Sequence, residues 1–441
     1  MHDVVPLARG SEIDLSGDFG KAFHLITDSL DSYFVTGKAG TGKSTLLRHY
    51  ANESQKRIAL LAPTGIAAVN IQGQTIHSFF RFPPEPITSQ HIHESRFKEL
   101  YRALETIVID EVSMVRADLM DGIDQMLRFN RGRPADPFGG VQMLFFGDVF
   151  QLQPVVASDE EAKYFSSYYP SPYFFDAKVF EDDEFEIIDL QKVFRQKDIG
   201  FIGLLDSIRM NRAGNTELLA INSRHRPSLS DDESESMITL ASTNVIVAEV
   251  NERQLARLTT PQFTYQGKIE GKFLRRSLPT EMNLSLKSGA QVMFVKNDTA
   301  RRWVNGTIGK IIELAQDHVA VEVEEGGGNF TYDVPIATWE VRKHNLDYAS
   351  HSITTDIVGS FSQYPLKLAW AVTVHQSQGL TFDDLVVDLG SGAFAHGQTY
   401  VALSRCTSFE GLILKTKVRQ KDIIVDYAVS DFYRSRIRGA T

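Results

Sequence analysis

The chain lacks the features that mark secreted and membrane proteins. It has a single cysteine, Cys406, in 441 residues, so no internal disulfide can form. The N-terminal stretch MHDVVPLARGSEIDL has no apolar segment of the kind found in signal peptides. Apolar runs such as LKLAWAVTV are far too short to span a bilayer. These absences predict a cytoplasmic enzyme with no membrane partner.

Positive charge is also in short supply. The 46 Lys and Arg residues are outnumbered by 56 Asp and Glu residues, which gives a net charge of −10. This balance argues against nucleic-acid binding by bulk electrostatics, although a local basic groove remains compatible with it. A chain of this length with 42% hydrophobic residues can bury more than one core, so two or three domains are expected.

The stretch FVTGKAGTGKST, residues 34–45, fits the phosphate-loop pattern G-x-x-x-x-G-K-[ST]. It lies between a β-rich run, SYFVT, and a helical run, KSTLLRHYANE. Glycines there let backbone N–H groups point inward, the helix N-terminus adds its positive dipole, and Lys43 supplies a full charge. The Ser44 hydroxyl is expected to reach Mg²⁺. The residues predicted to hold the nucleotide phosphates are Gly37, Ala39, Gly40, Thr41, Gly42, Lys43, Ser44 and Thr45.

Two further strands end in polar side chains suited to phosphate chemistry. TIVIDEVSMV, residues 106–115, ends its apolar part at Asp110 and Glu111. The first carboxylate can hold Mg²⁺ and the second can accept a proton from an attacking water. FFGDVFQLQPV, residues 145–155, carries Gln151, which can contact the γ-phosphate or that water.

Short strands alternate with helical patterns through the first half of the chain, which predicts an α/β fold with a parallel sheet. The same alternation returns after residue 190, whereas residues 304–365 are closely spaced alternating strands typical of an antiparallel barrel. The predicted domains are 1–190, with a small insertion at 81–98; 191–303 with 366–441; and the inserted barrel at 304–365.

Seven motifs in order resemble the Pif-one family of superfamily-one DNA helicases, which is related to RecD. They are GKAGTGKST, APTGIAAVNIQGQTIHSFF, VIDEVSMV, GDVFQLQPV, LQKVFRQKDIGFIGLLDSIR, AVTVHQSQGLTFDDLVVDL and YVALSRC. The resemblance implies two RecA-like domains with ATP in the cleft between them and single-stranded DNA across both. It also implies that the 81–98 insertion is a wedge subdomain and that the 304–365 barrel is SH3-like.

The resemblance also assigns roles to single residues. Lys43, Asp110, Glu111 and Gln151 are implied to be catalytic, and Ser44 with Asp110 to hold Mg²⁺. Arg195 and Arg405 are implied to enter from the second domain as arginine fingers, which would make hydrolysis depend on domain closure. Gly379 joins Gln151 and the phosphate loop in nucleotide binding. The implied DNA contacts are Thr64, Gly65, His77, Lys296, Asn297, Thr373 and His375.

The implied function is an ATP- and Mg²⁺-dependent DNA helicase that moves 5′→3′ on single strands. Its implied partners are single-stranded, tailed or forked DNA, and it is expected to work as a monomer near a bacterial nucleoid in replication, repair or recombination. G-quadruplexes, forks and RNA–DNA hybrids are alternative substrates, and telomere maintenance is an associated family role. A RecD-like subunit of a helicase–nuclease complex is the closest alternative. A GTPase-type switch is less compatible, because no Asn-Lys-x-Asp occurs.

One position departs from the family pattern. Such helicases usually carry a glutamine shortly before the phosphate loop that reads the adenine edge, but Phe19 occupies that position here and the first glutamine of the chain is Gln55. Weak selectivity for adenine is therefore expected.

Overall fold

The computed structural model describes residues 17–437 except 84, 157, 183–184, 231–236, 276–277, 301, 304, 326–327 and 348–351. It divides into two compact units. Unit 1 comprises Met1–Arg195, Lys343–Asp356 and Val425–Thr441, and unit 2 comprises Gln196–Arg342 and Ile357–Ile424. The chain therefore passes from unit 1 to unit 2 between Arg195 and Gln196, whereas the sequence pattern placed that boundary between residues 190 and 191.

Unit 1 alternates helices and strands from its first described residue. Its helices are α1 Gly17–Asp28, α2 Lys43–Glu53, α3 Gly65–Asn70, α4 Ile76–Phe80, α5 Lys98–Ala103, α6 Ala117–Arg131, α7 Asp159–Tyr168 and α8 Val179–Asp182. Its strands are β1 Tyr33–Gly37, β2 Ile58–Ala62, β3 Gln74–Thr75, β4 Thr106–Ile109, β5 Gln142–Phe146 and β6 Glu186–Leu190.

The six strands of unit 1 form one parallel sheet in the order β3-β2-β4-β5-β1-β6. Its central strands are mainly apolar, and every residue of β1, β4 and β5 is buried. Strands covered on both faces read as continuous hydrophobic runs, which is why the sequence identified them. The carboxyl ends of all six strands lie at one edge of the sheet. The phosphate loop and the motifs at 106–115 and 145–155 follow strands at that edge.

The 81–98 insertion lies between α4 and α5 and is fastened to α6. The backbone N–H of Ile87 donates to Oδ2 of Asp118 at 2.6 Å, and the N–H of Ser95 donates to Oδ1 of Asn130 at 2.6 Å. Buried acceptors on one helix therefore fix this segment at both of its ends.

The C-terminal segment belongs to unit 1, although the sequence pattern placed it in the second domain. It contains α13, Tyr427–Phe432, followed by a π-helical turn, Tyr433–Ile437. The ring of Phe432 stacks on Phe175 with centroids 4.2 Å apart and lies 6.3 Å from Phe34 of β1. This aromatic packing attaches the segment to the first sheet, and periodicity along the sequence contains no signal for such a distant pairing.

Unit 2 has its own parallel sheet and several antiparallel strands. Its helices are α9 Ile199–Arg209, α10 Asn215–Asn222, α11 Asn244–Arg257 and α12 Gln398–Leu403. The remaining strands of the chain are β7 Ile238–Ala241, β8 Gln262–Gln266, β9 Lys268–Gly271, β10 Asn283–Lys287, β11 Gln291–Phe294, β12 Ile308–Ala315, β13 His318–Glu325, β14 Gly328–Asp333, β15 Ala337–Asp347, β16 Ser352–Gln363, β17 Leu366–Leu368, β18 Ala371–Thr373, β19 Leu385–Asp388 and β20 Leu412–Leu414.

The parallel sheet of unit 2 has the order β18-β7-β19-β20, and a five-stranded antiparallel sheet has the order β14-β13-β12-β11-β17. The second sheet includes 291–294 and 366–368, so it extends beyond the barrel limits of 304–365 drawn from the sequence. Its core contains Trp303, Val321 and Phe294, with Trp303 stacked 4.3 Å from Phe294. The α/β class with a parallel core in each half is therefore confirmed. Across the described ranges, no helix has the length and apolar character needed to cross a membrane.

Candidate nucleotide and DNA site

The phosphate loop joins β1 to α2 at the carboxyl edge of the first sheet. Gly42 precedes α2 in the left-handed region at φ 87°, and the carbonyl of Gly42 accepts from Leu46 N at 2.9 Å as the helix begins. Lys43 folds back over the loop, where its Nζ donates to the carbonyls of Gly37 at 2.6 Å and Lys38 at 3.0 Å. The ammonium group thus lies at the mouth of a backbone cradle that suits phosphate.

Arg195 lies beside this loop and belongs to unit 1. The N–H of Phe194 donates to the carbonyl of Gly40 at 2.8 Å, and a Cβ on Gly40 would lie 2.5 Å from Cβ of Arg195. Gly40 is therefore required for this close approach. The assignment of Arg195 to the second domain is corrected, because the strand that precedes it, β6, pairs with β1 and carries Arg195 to the phosphate loop.

Asp110 and Glu111 follow β4 at the same edge. The N–H of Asp110 donates to the carbonyl of Leu61 at 2.9 Å, and Oδ1 of Asp110 accepts from the N–H of Glu111 at 3.0 Å. Removal from water, and next the adjacent Glu111 carboxylate, raise the pKa of Asp110, while the charges of Lys43 and Arg48 lower it. The effect of the Lys43 charge on the pKa of Asp110 shows that the phosphate loop and the Asp110 turn lie near each other.

Gln151 follows β5, which lies between β4 and β1 in the sheet. It is 6% exposed and its N–H donates to the carbonyl of Asp148 at 2.9 Å, which tightens the turn after the strand. Because adjacent parallel strands end at one edge, Lys43, Asp110 and Gln151 are carried by three neighbouring loops. That is the arrangement in which one triphosphate can contact all three.

The donor set suits Mg²⁺. A serine hydroxyl and a carboxylate are oxygen ligands, and Mg²⁺ bound with a nucleotide takes one or two protein ligands beside phosphate oxygens and water. Ser44 and Asp110 carry oxygen atoms of this kind in the segments that follow β1 and β4 at the same sheet edge. Among the described residues, no cluster of three or more metal-binding side chains is present.

Two aromatic rings border the phosphate loop. A Cβ on Gly42 would lie 3.5 Å from Cε2 of Phe19 and 3.8 Å from Cε2 of Phe194. Phe19 is 8% exposed and belongs to the core under β1, whereas Phe194 is 49% exposed, with Nζ of Lys192 4.9 Å from its ring centroid. The exposed ring of Phe194 is available to stack on a base, a role that the sequence pattern had not indicated.

The first three candidate DNA contacts leave the other half of the same sheet edge. Thr64 caps α3, and its Oγ1 accepts from Ala67 N at 3.2 Å, with Gly65 beginning that helix. His77 lies in the first turn of α4, directly after β3. The order β3-β2-β4-β5-β1 thus places the candidate DNA residues on one side of the edge and the phosphate loop on the other.

The remaining candidate DNA contacts belong to unit 2. Lys296 donates to the carbonyl of Thr338 and lies over the Trp339 ring at 5.4 Å, and Oδ1 of Asn297 accepts from Asn305 N at 2.7 Å. Thr373 ends β18, and its Oγ1 accepts from Gln376 N at 3.2 Å. His375, in the turn that Thr373 caps, is exposed. These residues shape two loops in unit 2, and His375 presents a ring to solvent.

Arg405 is buried inside unit 2, with 2% of its surface exposed. Its Nε donates to the carbonyl of Val401 at 3.2 Å, and its Nη1 lies 3.5 Å from the carbonyls of Ser377 and Leu380. Those carbonyls flank Gly379, which has φ 79° and no atom within 4 Å of its Cβ direction. The guanidinium thus braces the turn that contains Gly379.

Comparison with known proteins identifies the family. Residues 15–202 match the family model described as PIF1-like helicase. The chain is 31% identical to the ATP-dependent DNA helicase Pif1 of Bdellovibrio bacteriovorus over 96% of this chain and 92% of that protein.

The chain belongs to the PIF1-like helicase family.

Solved structures of the PIF1-like family agree with this membership. Bacteroides Pif1 in complex with ADP-AlF4 superposes with a TM-score of 0.87 and 36% identity, covering 97% of this chain and 98% of that one. Bacteroides Pif1 bound to single-stranded DNA superposes with a TM-score of 0.72 at the same identity and the same coverage. The resemblance drawn from seven sequence motifs is therefore confirmed, together with the RecA-like α/β fold. The RecD-like alternative receives no such support.

Proposed function

We propose that this PIF1-like helicase couples ATP hydrolysis to 5′→3′ movement along single-stranded DNA and thereby opens tailed or forked duplexes. The observation that carries the proposal is the shared edge of the first parallel sheet. Lys43, Asp110 and Gln151 leave adjacent strands there, and Thr64 and His77 leave the same edge beside them. The relative named as an ATP-dependent DNA helicase and the related complexes with ADP-AlF4 and single-stranded DNA support the helicase activity, and the direction of movement is the proposal's own.

The proposed chemistry follows from the loop geometry. Lys43 exchanges its bonds to the Gly37 and Lys38 carbonyls for phosphate oxygens when a triphosphate occupies the cradle. Mg²⁺, held by Ser44 and Asp110, would neutralise charge on the β- and γ-phosphates. Glu111 accepts the proton of the attacking water, and Gln151 orients that water against the γ-phosphate. Positive charge on the γ-oxygens is the remaining requirement, which we assign to Arg195 and Arg405. Arg405 would have to exchange its bonds to the carbonyls of Ser377 and Leu380 for phosphate oxygens.

DNA contacts are proposed for both units. Thr64, Gly65 and His77 act in unit 1, and Lys296, Asn297, Thr373 and His375 act in unit 2. Small hydroxyls and backbone groups suit the phosphodiester chain, and an exposed imidazole such as that of His375 suits a base or sugar face. Gly379 completes the nucleotide contacts from unit 2.

The proposal extends to cellular setting. A monomeric motor acting near a bacterial nucleoid, in replication, repair or recombination, fits this chemistry. Forks, G-quadruplexes and RNA–DNA hybrids are the candidate substrates. The 81–98 insertion is proposed to act as the wedge that separates strands.

Strand displacement tests the direction. Two duplexes of identical sequence, one with a 5′ single-stranded tail and one with a 3′ tail, are incubated with enzyme, ATP and Mg²⁺, with Lys43→Ala as the control for contaminating helicases. We expect opening of the 5′-tailed duplex only. Faster opening of the 3′-tailed duplex would reverse the proposed polarity, which no residue spacing in the sequence encodes.

A further inference from the structure

We propose that Gln196 is a positioning residue for Arg405. One amide group of Gln196 holds the backbone on both sides of that arginine. Its Nε2 donates to the carbonyl of Ser404 at 3.0 Å and to the carbonyl of Cys406 at 2.9 Å. The inference rests on the proposed role of Arg405 at the γ-phosphate.

The backbone around Arg405 is fixed at three consecutive carbonyls. Gln196 engages those of Ser404 and Cys406, and the N–H of Phe382 donates to the carbonyl of Arg405 itself at 2.9 Å. These residues follow the end of α12, where carbonyls lack helical partners and the chain could otherwise take several courses. Gln196 thus supplies side-chain donors to a helix end that carries a candidate catalytic group.

Gln196 is itself buried beside packed elements. It is 3% exposed, and it lies just before α9, whose first turn is capped by Asp198 through bonds to Gly200 N at 2.8 Å and Phe201 N at 3.3 Å. Phe201 is buried at 1% exposure, with its ring 5.8 Å from that of Phe409, which follows the Arg405 turn. Because its amide is buried between α9 and the Arg405 turn, Gln196 fixes the positions of the two carbonyls to which it donates.

The position of Gln196 in the chain adds a second consequence. It follows Arg195, which lies against Gly40 of the phosphate loop in unit 1, and it is the first residue of unit 2. Arg195, one proposed γ-phosphate ligand, is therefore adjacent in the chain to Gln196, which positions the other, Arg405. Loss of the amide would leave Arg405 present but less well oriented, and misplacement of a catalytic group by about 1 Å can cost about 10²-fold in rate.

Gln291 offers a matched control within unit 2. It is 6% exposed, and its Nε2 also holds two carbonyls, those of Met237 and Ala369, each at 3.0 Å. Gln196→Met and Gln291→Met therefore remove equivalent buried bonds, and we expect similar losses of melting temperature. A merely structural role for Gln196 would make the two variants equivalent in activity as well.

The experiment measures single-stranded-DNA-stimulated ATP hydrolysis. We expect Gln196→Met to lower kcat by about tenfold or more with the KM for ATP held within about twofold, and Gln291→Met to leave kcat within about twofold of wild type. In an enzyme that already carries Arg405→Ala, Gln196→Met should lower kcat further by no more than about twofold, because Gln196 acts through Arg405. Gln196→Asn, whose amide is one methylene shorter, should hold the two carbonyls less well, give an intermediate kcat and serve as the second variant.

The outcomes separate the two proposals. If Arg405→Ala lowers kcat but both Gln196 variants turn over at the wild-type rate, the role of Arg405 stands and the positioning role of Gln196 is overturned. A Gln196→Met effect that persists undiminished in the Arg405→Ala background also overturns it, because Gln196 would then act elsewhere. Wild-type turnover in Arg405→Ala itself overturns the role of Arg405 and the positioning role together.

Discussion

Phe19 packs its ring against Gly42 of the phosphate loop, so that a Cβ on Gly42 would lie 3.5 Å from Cε2 of Phe19. An apolar ring therefore occupies the position at which the family pattern expects a glutamine. Phe19 is also buried in the core of unit 1 with Tyr33 and Leu47, which gives it a packing role independent of any nucleotide.

Base selectivity follows from this contact. A site without donors and acceptors for the adenine edge has little unpaired polarity with which to reject another base, while the triphosphate contacts are shared by all nucleotides. We expect the kcat/KM values for GTP and dATP to lie within about tenfold of the value for ATP. That ratio corresponds to a difference of roughly 1.4 kcal/mol or less in transition-state stabilisation. The measurement compares ATP, dATP, GTP and CTP at saturating single-stranded DNA.

Phe194 provides the companion variant for that comparison. Its ring is exposed beside Gly42, so Phe194→Ala should raise KM for every nucleotide by a similar factor. A hundredfold preference for ATP over GTP in the wild-type enzyme would show that another group reads the adenine edge.

The phosphate loop and the carboxylate pair give the second prediction. Lys43→Ala removes the ammonium group over the cradle, and Glu111→Gln removes the proposed proton acceptor beside Asp110. Each should lower DNA-stimulated ATP hydrolysis by about 10²-fold or more, as removal of a catalytic group usually does. Glu111→Gln should still bind a fluorescent nucleotide analogue. Losses of only a few-fold in hydrolysis would contradict these assignments.

The parts of the site that the sequence places correctly along the first sheet are those whose signal is local. The phosphate loop, Asp110 and Gln151 each follow an apolar strand, and the strand alternation predicted the sheet at whose edge they lie. Arg195 was assigned to the wrong half because its place depends on β6 pairing with β1, a contact between distant segments. The attachment of Phe432 to Phe175 and the bonds from Gln196 to Ser404 and Cys406 are likewise long-range, and no periodicity reports them.

Asp124 on α6 gives a prediction for stability. Its Oδ1 accepts from the N–H of Phe138 at 2.6 Å and from Nε of Arg128 at 2.7 Å, and Phe138 holds a left-handed conformation at φ 50°. Asp124→Ala leaves the buried N–H of Phe138 without its acceptor and removes the ion pair with Arg128, which keeps its bond to the carbonyl of Pro134, so we expect a loss of about 3 kcal/mol in the free energy of unfolding.

The control for Asp124 is Glu99→Ala, which breaks the more exposed pair with Arg102 on α5. It should change the free energy of unfolding by no more than about 0.5 kcal/mol. Denaturant titration followed by fluorescence measures both variants. Equal losses would mean that the carboxylate of Asp124 does not hold the loop at Phe138.

Cys406 gives the last prediction, because its thiol reports on the turn that carries Arg405. The side chain is fully buried, its Sγ lies 3.4 Å from the carbonyl of Asp383, and burial chiefly raises its pKa to about 11. Only the thiolate reacts with maleimide or iodoacetamide, so at pH 8 about one thiol in 10³ would be reactive even if reagent could reach it. The folded protein should therefore resist labelling at neutral pH, and the same protein in guanidinium chloride should react at once. Raising the pH towards 11 should speed labelling of the folded protein only to the extent that the turn opens, because burial blocks access of the reagent as well as ionisation of the thiol.

The two glutamine variants extend this prediction. Since Gln196 holds the carbonyl of Cys406, Cys406 in Gln196→Met should be labelled faster than in wild type, and Cys406 in Gln291→Met should not. Mass spectrometry of timed samples gives the rates. Complete labelling of the native wild-type protein within minutes would mean that the turn is open in solution, and it would remove the structural basis for a fixed Arg405.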